Sequence, residues 1–134
     1  MIMGTFRLTK EERLSGRKSM EDLFREGKSF YLSPFRVLFL EDREKNEHPG
    51  VRMAVSVPRK LFKRAVKRNL LKRRIREAYR LNKHLLTGPL KEKDVFLDII
   101  FIYTLPDILS FREIEDKLVL SLRKILGEYE KNTD

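Results

Sequence analysis

Asn69, Arg73, Arg76 and Arg80 stand at i, i+4, i+7 and i+11, a spacing that lines up one amide and three guanidinium groups along an α-helix. Like charges so placed repel one another and weaken an isolated helix. The row makes chemical sense against phosphates, whose oxygens meet guanidinium forks in bidentate pairs. The Asn69 amide can both donate and accept, towards a sugar or a base edge. Lys72 and Lys83 flank the row, and Lys67 and Arg68 precede it. All lie within residues 59–83, which hold twelve Lys or Arg and a single acid, Glu77. The chain of 134 residues carries a net charge of +10, yet outside that run 18 basic face 19 acidic side chains. Solvated helix faces usually mix both signs. Cations gathered in one footprint are what a polyanion requires, so the chain reads as a nucleic-acid binder.

Other chemistries find less support. With no cysteine there is neither a disulfide framework nor a thiolate metal site, and a reducing compartment is expected. His48 and His84 lack ligand-like spacing and read as a loop residue and a solvated helix residue. A protein nuclease needs clustered carboxylates for metals or a histidine pair for acid–base work. The acids concentrate instead in residues 41–47 and in the outer helices, where ion pairing and solubility account for them. Asp98, inside an apolar run, reads first as a buried acid with a hydrogen-bonding or arginine partner and only second as a metal ligand. No catalytic or metal-ligating residue is assigned. The opening residues are too short for a signal peptide and no segment reaches membrane-span length, so a cytoplasmic protein with no membrane partner is expected.

The elements that must position the row follow from punctuation and periodicity. Residues 1–18 read as a basic N-terminal arm, 19–127 as one α+β domain and 128–134 as a polar tail. Ser19 and Asp22 form a capping box for a short helix carrying Met20, Leu23 and Phe24, with Gly27 at its C-cap. Residues 35–40 and 51–57 read as an antiparallel hairpin closed by a long loop ending in His48-Pro49-Gly50. The basic helix buries Leu71, Ile75, Ala78, Tyr79, Leu85 and Leu86 and stops at Thr87-Gly88-Pro89. Residues 94–103 form a central strand, and a last helix runs from the Ser110/Glu113 capping box to Gly127. The order α-β-β-α-β-α predicts an α+β sandwich, with a right-handed crossover if the second and third strands are parallel neighbours.

The stretch Ala65-Val66-Lys67-Arg68-Asn69-Leu70-Leu71-Lys72-Arg73-Arg74-Ile75-Arg76-Glu77-Ala78-Tyr79 resembles the signature helix of the protein subunit of bacterial ribonuclease P. Arg13-Leu14, the helix of Met20 and Phe24 with Gly27-Lys28-Ser29, the strand at Phe35, and Val55-Ser56-Val57 before Arg59-Lys60 occur in that family's order, so the resemblance covers roughly residues 13–126. It implies a fold like ribosomal protein S5 domain 2 with a left-handed βαβ crossover. It implies a subunit that helps a catalytic RNA remove the 5′ leader of precursor tRNA, with Mg²⁺ bound mainly by the RNA and no protein partner required. By resemblance, Arg59, Lys60, Lys67, Arg68, Asn69, Lys72, Arg73, Arg76 and Arg80 contact the catalytic RNA. Met20, Phe24, Arg36 and Leu38 line a cleft for the single-stranded leader, although core packing is an equal reading of Phe24. The chain departs from the family pattern at Met20 and Leu38, where aromatics are usual or frequent, at Leu70, where Arg is common, and at Thr104, where a basic residue is common. A general RNA-binding protein of the ribosomal type is the alternative that charge alone leaves open.

Overall fold

The computed structural model describes residues 8–44 and 48–130. A 3-10 turn, Lys10–Glu12, leads to α1 (Arg17–Glu26), β1 (Lys28–Leu32), β2 (Phe35–Glu41), β3 (Val51–Ser56), α2 (Ala65–Asn82), α3 (His84–Glu92), β4 (Leu97–Tyr103) and α4 (Phe111–Glu130). The α+β class stands, with one strand and one helix more than the α-β-β-α-β-α order expected.

The four strands lie in the order β1-β2-β4-β3. β4 pairs antiparallel with β2 and parallel with β3, so the hairpin expected between residues 35–40 and 51–57 does not form. Both strands instead pair with β4, whose alternate residues Leu97, Ile99, Phe101 and Tyr103 are buried on one face while Asp98 and Ile100 are buried on the other. β1, missed as a strand because it is only five residues long and its Phe30-Tyr31-Leu32 run shows no alternation with polar residues, forms the true hairpin with β2 through the Ser33-Pro34 turn.

One sheet face carries the main core. Phe35, Val37, Phe39, Met53, Ile99 and Phe101 pack with Leu71, Ile75, Tyr79, Leu86, Ile114, Leu118 and Leu122 of the helices. The 3.6-residue periodicity of α2 places Leu71, Ile75, Ala78 and Tyr79 inward, which forces Asn69, Arg73 and Arg76 outward. The helix expected to end at Thr87-Gly88-Pro89 ends earlier, at Asn82. Thr87, Gly88 and Pro89 fall inside α3, which buries Leu86 and Leu90.

The opposite face holds a smaller cluster of Leu14, Leu23, Leu38 and Ile100, covered by α1. α1 starts at Arg17 behind Gly16, so the predicted Ser19/Asp22 cap lies within the helix. Gly27 follows its last turn as expected, but with an extended rather than left-handed backbone. What demands glycine there is space: a Cβ would sit 2.4 Å from the Leu23 carbonyl oxygen and 3.2 Å from that of Phe39.

The stretch read as an arm is in part a strap on the sheet. Leu14 N–H donates to the Met53 carbonyl at 2.8 Å, Arg13 bridges to Met53, and the Lys83 ammonium meets both Glu12 carboxylate oxygens at 2.9 Å. Lys83, expected beside the arginine row, is therefore buried in an ion pair. The boundaries expected at 18 and 127 likewise fall inside elements, since α4 runs to Glu130 with Tyr129 against Phe39. The N-terminal part of the expected arm and the end of the expected tail lie outside the described residues.

Candidate nucleic-acid interface

Asn69, Arg73, Arg76 and Arg80 share one outward face of α2, where together with Leu8, Arg13 and Glu77 they line an open groove of about 460 Å³. Arg13 was legible only as part of a motif match; the strap's pairing with β3 is what carries it to a helix some sixty positions away in sequence. Glu77, the one acid of the basic run, takes Arg80 in a bidentate pair at 2.9 and 2.7 Å. That hydrogen bonding, followed by the attraction of the two charges, holds the Glu77 carboxyl below its usual range despite some desolvation.

The remaining basic residues divide by environment. Arg59, Lys60 and Lys67 are exposed on the turn before α2 and on its first turn, and Lys72 is half-buried. Arg68 also has a role in the fold. Its guanidinium donates to the Phe62 and Lys63 carbonyls at 2.7 and 2.8 Å, tying down the turn that enters α2, whose N-cap Arg64 supplies no side-chain cap. Arg74 similarly donates to the Leu109 carbonyl at 2.7 Å and anchors α2 to the loop before α4.

On the other side of the sheet, α1 leaves part of the surface open. Cross-strand register sets Ser29, Leu38, Ile100 and Ala54 in one row and Tyr31, Arg36, Ile102 and Ser56 in the next. α1 covers the middle of the first row, so Leu38 is 2% exposed and supports the floor from beneath rather than lining the cleft. Met20 packs half-buried on the same cluster. Phe24 is 54% exposed, which removes the core-packing reading, and Arg36 is exposed in the open row. Sequence reasoning missed Tyr31, 60% exposed in that row, because it missed the strand that carries it.

Among the described residues one group, Asp42, His48 and Asp98, has donor atoms close enough together to be tested as a metal site. Both Asp98 oxygens are engaged. Arg52 donates to them at 2.8 and 3.0 Å, and His48 Nε2 lies 2.9 Å from Oδ1. Gly50 N–H donates to His48 Nδ1, so the ring proton sits on Nε2 and points at Asp98. Burial alone would raise the Asp98 pKa, but these hydrogen bonds bring it below the usual carboxylate value. A guanidinium already occupies the position of a cation, so the donor set does not fit Mg²⁺, which asks for several free oxygens. Asp98 is thus the arginine-paired acid expected, and His48, a loop residue as expected, is its buried partner.

A four-stranded α+β sheet whose parallel strands are joined through a helix bearing an arginine row defines an RNA-binding protein of mixed architecture. A model of the family described as Ribonuclease P matches residues 8–126. The ribonuclease P protein component of Porphyromonas gingivalis is 44% identical over 92% of this chain and 89% of its own length. The chain belongs to the ribonuclease P protein family, the protein component of the ribonucleoprotein that processes tRNA 5′ ends. Two solved structures agree. The RNase P protein of Thermotoga maritima superposes with a TM-score of 0.68 at 30% identity, over 84% of this chain and 96% of that one. The RNase P protein of Staphylococcus aureus gives 0.67 at 26% identity, over 86% and 94%.

Proposed function

We propose that the α2 face of Asn69, Arg73, Arg76 and Arg80, extended by Arg59, Lys60, Lys67 and Lys72, holds the catalytic RNA of ribonuclease P, while the open sheet surface beside α1 receives the 5′ leader of precursor tRNA. The observation that carries this reading is the division of the surface. A multi-arginine groove suits a folded RNA backbone, whereas an exposed aromatic beside a basic residue suits an extended single strand. Arg68 contributes by shaping the turn that presents Arg59 and Lys60 and Leu38 by supporting the floor, while half-buried Met20 borders the cleft.

In this reading the phosphodiester is hydrolysed within the RNA, and the Mg²⁺ ions are bound mainly by RNA oxygens. The protein's residues neutralise phosphate charge as the two RNAs come together and add interactions that only the precursor, with its leader, can make. No second protein is needed for either task, and the complex belongs in the cytoplasm, where precursor tRNA is made.

The test is precursor-tRNA cleavage at low Mg²⁺ by the cognate catalytic RNA, with and without the protein, and by the protein alone. Cleavage that needs both components, with none from the protein alone, is the expected result. Tight RNA binding with no gain in cleavage would instead make the chain a general RNA-binding protein of the ribosomal type.

A further inference from the structure

Tyr31 is 60% exposed, yet its hydroxyl reaches a polar neighbour. The hydroxyl lies 3.3 Å from Thr104 Oγ1, and Thr104 itself donates to the Pro34 carbonyl at 2.8 Å. With the Thr104 proton spent on Pro34, its oxygen is free to accept from Tyr31. The tyrosine side chain therefore reaches from edge strand β1 over the Ser33-Pro34 turn to the end of β4. Thr104 N–H donates to the same Pro34 carbonyl at 2.8 Å, so the support beneath the ring is tied by backbone as well as side chain.

Register then places this ring at one end of an open row. Tyr31 pairs with Arg36, Arg36 with Ile102, and Ile102 with Ser56, all on the sheet face that carries α1. Neighbouring strands are about 4.8 Å apart, so the row spans roughly 14 Å. At its far end Ser56 leads through Val57 and Pro58 to the exposed Arg59 and Lys60. An aromatic platform, a guanidinium and an apolar patch thus follow one another across the sheet, and the row ends beside the basic turn assigned to the catalytic RNA. That sequence of chemistries fits an extended polynucleotide strand, whose bases stack or lie on apolar surface while its phosphates meet cations.

We propose that Tyr31 is a second base-stacking platform, apart from Phe24, and that the 5′ leader crosses the sheet along the row Tyr31, Arg36, Ile102 and Ser56. The assignment rests on the leader-binding reading above and adds to it a residue and a direction. A contact that restricts the phenol lowers the entropy lost when a base settles on the ring. Stacking is indifferent to base identity, so Tyr31 contributes affinity without a strong sequence preference.

The chain contains no tryptophan, so Tyr31→Trp supplies a single reporter at the site. In the complex with the cognate catalytic RNA, its emission should be quenched by precursor tRNA and left unchanged by mature tRNA, which lacks the leader. Tyr31→Ala should weaken precursor affinity by roughly five- to a hundredfold, with mature-tRNA and catalytic-RNA affinities unaltered, and Tyr31→Phe should restore most of the loss. Emission indifferent to the leader, or precursor affinity unchanged in Tyr31→Ala, overturns the proposal. Phe24→Ala, measured alongside, separates the two levels. If it loses leader-dependent affinity while Tyr31→Ala does not, the cleft reading stands and only the platform fails; if neither variant loses it, the cleft reading fails with it.

Discussion

At Asp98 the neighbouring side chains decide between roles that the residue type alone leaves open. An acid within an apolar strand is compatible with a metal site, a catalytic group or a structural ion pair. The Arg52 fork and His48 Nε2 decide for the last, since they use both carboxylate oxygens. Removing one partner of a mostly buried pair leaves the other poorly compensated, so Asp98→Asn should cost about 2–4 kcal/mol at neutral pH, measured by urea unfolding. The sign of the pH dependence follows from the lowered folded-state pKa. Asp98 contributes its full stabilisation above the ordinary carboxylate value, and this is lost as pH falls from about 4 through the folded-state value. The wild type should therefore shed part of its advantage over Asp98→Asn in that acid window, and a constant difference between the two down to pH 2 would contradict the pairing.

Among the elements, α1 and α2 are held in place by different means. α1 turns into β1 at Gly27, where no side-chain atom fits between the Leu23 and Phe39 carbonyls. Gly27→Ala should lower stability by about 1–3 kcal/mol through this overpacking, against the small gain that alanine gives at an unstrained site; thermal unfolding checks it. α2 pairs a buried apolar face with an outward arginine face, and its entrance is secured by Arg68 rather than by a capping residue. Substituting both Arg73 and Arg76 by Ala leaves the apolar face untouched. It should weaken catalytic-RNA binding and flatten the dependence of log affinity on log salt by roughly one for each phosphate left without its arginine. Equal slopes for the variant and the wild type would show that the row does not touch phosphate.

At the scale of the whole molecule, the sheet separates two chemically distinct surfaces. The helices on the main-core face carry the arginine row, and the other face carries α1 and the open cross-strand row. The two surfaces proposed to bind RNA should therefore be separable by mutation. Phe24→Ala, at an exposed position, should reduce precursor affinity in a leader-dependent way while leaving catalytic-RNA binding and thermal stability near wild type. Binding titrations with precursor and mature tRNA provide the comparison, and a drop in melting temperature of several degrees would point to packing instead. No described helix is long and apolar enough to cross a membrane.

Local chemistry along the chain determined most of what identifies this protein. The alternation of apolar and basic residues at helical spacing marked α2 and its outward row, because both faces of a helix are written in one continuous stretch. The Ser110/Glu113 box marked the start of α4, where Ser110 Oγ and the Glu113 backbone N–H do meet at 3.2 Å. Pairings between distant segments were decided only in three dimensions. Strand order is one such case: residues 35–40 and 51–57 resemble a hairpin in sequence, yet β4, some forty residues later, pairs with both. Lys83 looked like one more cation of the row until Glu12 claimed it. Arg13 entered the groove, and Tyr31 the open row, through backbone pairing that no periodicity encodes. Sequence records which face of an element is apolar; which elements share that face is settled when the whole chain buries its core at once.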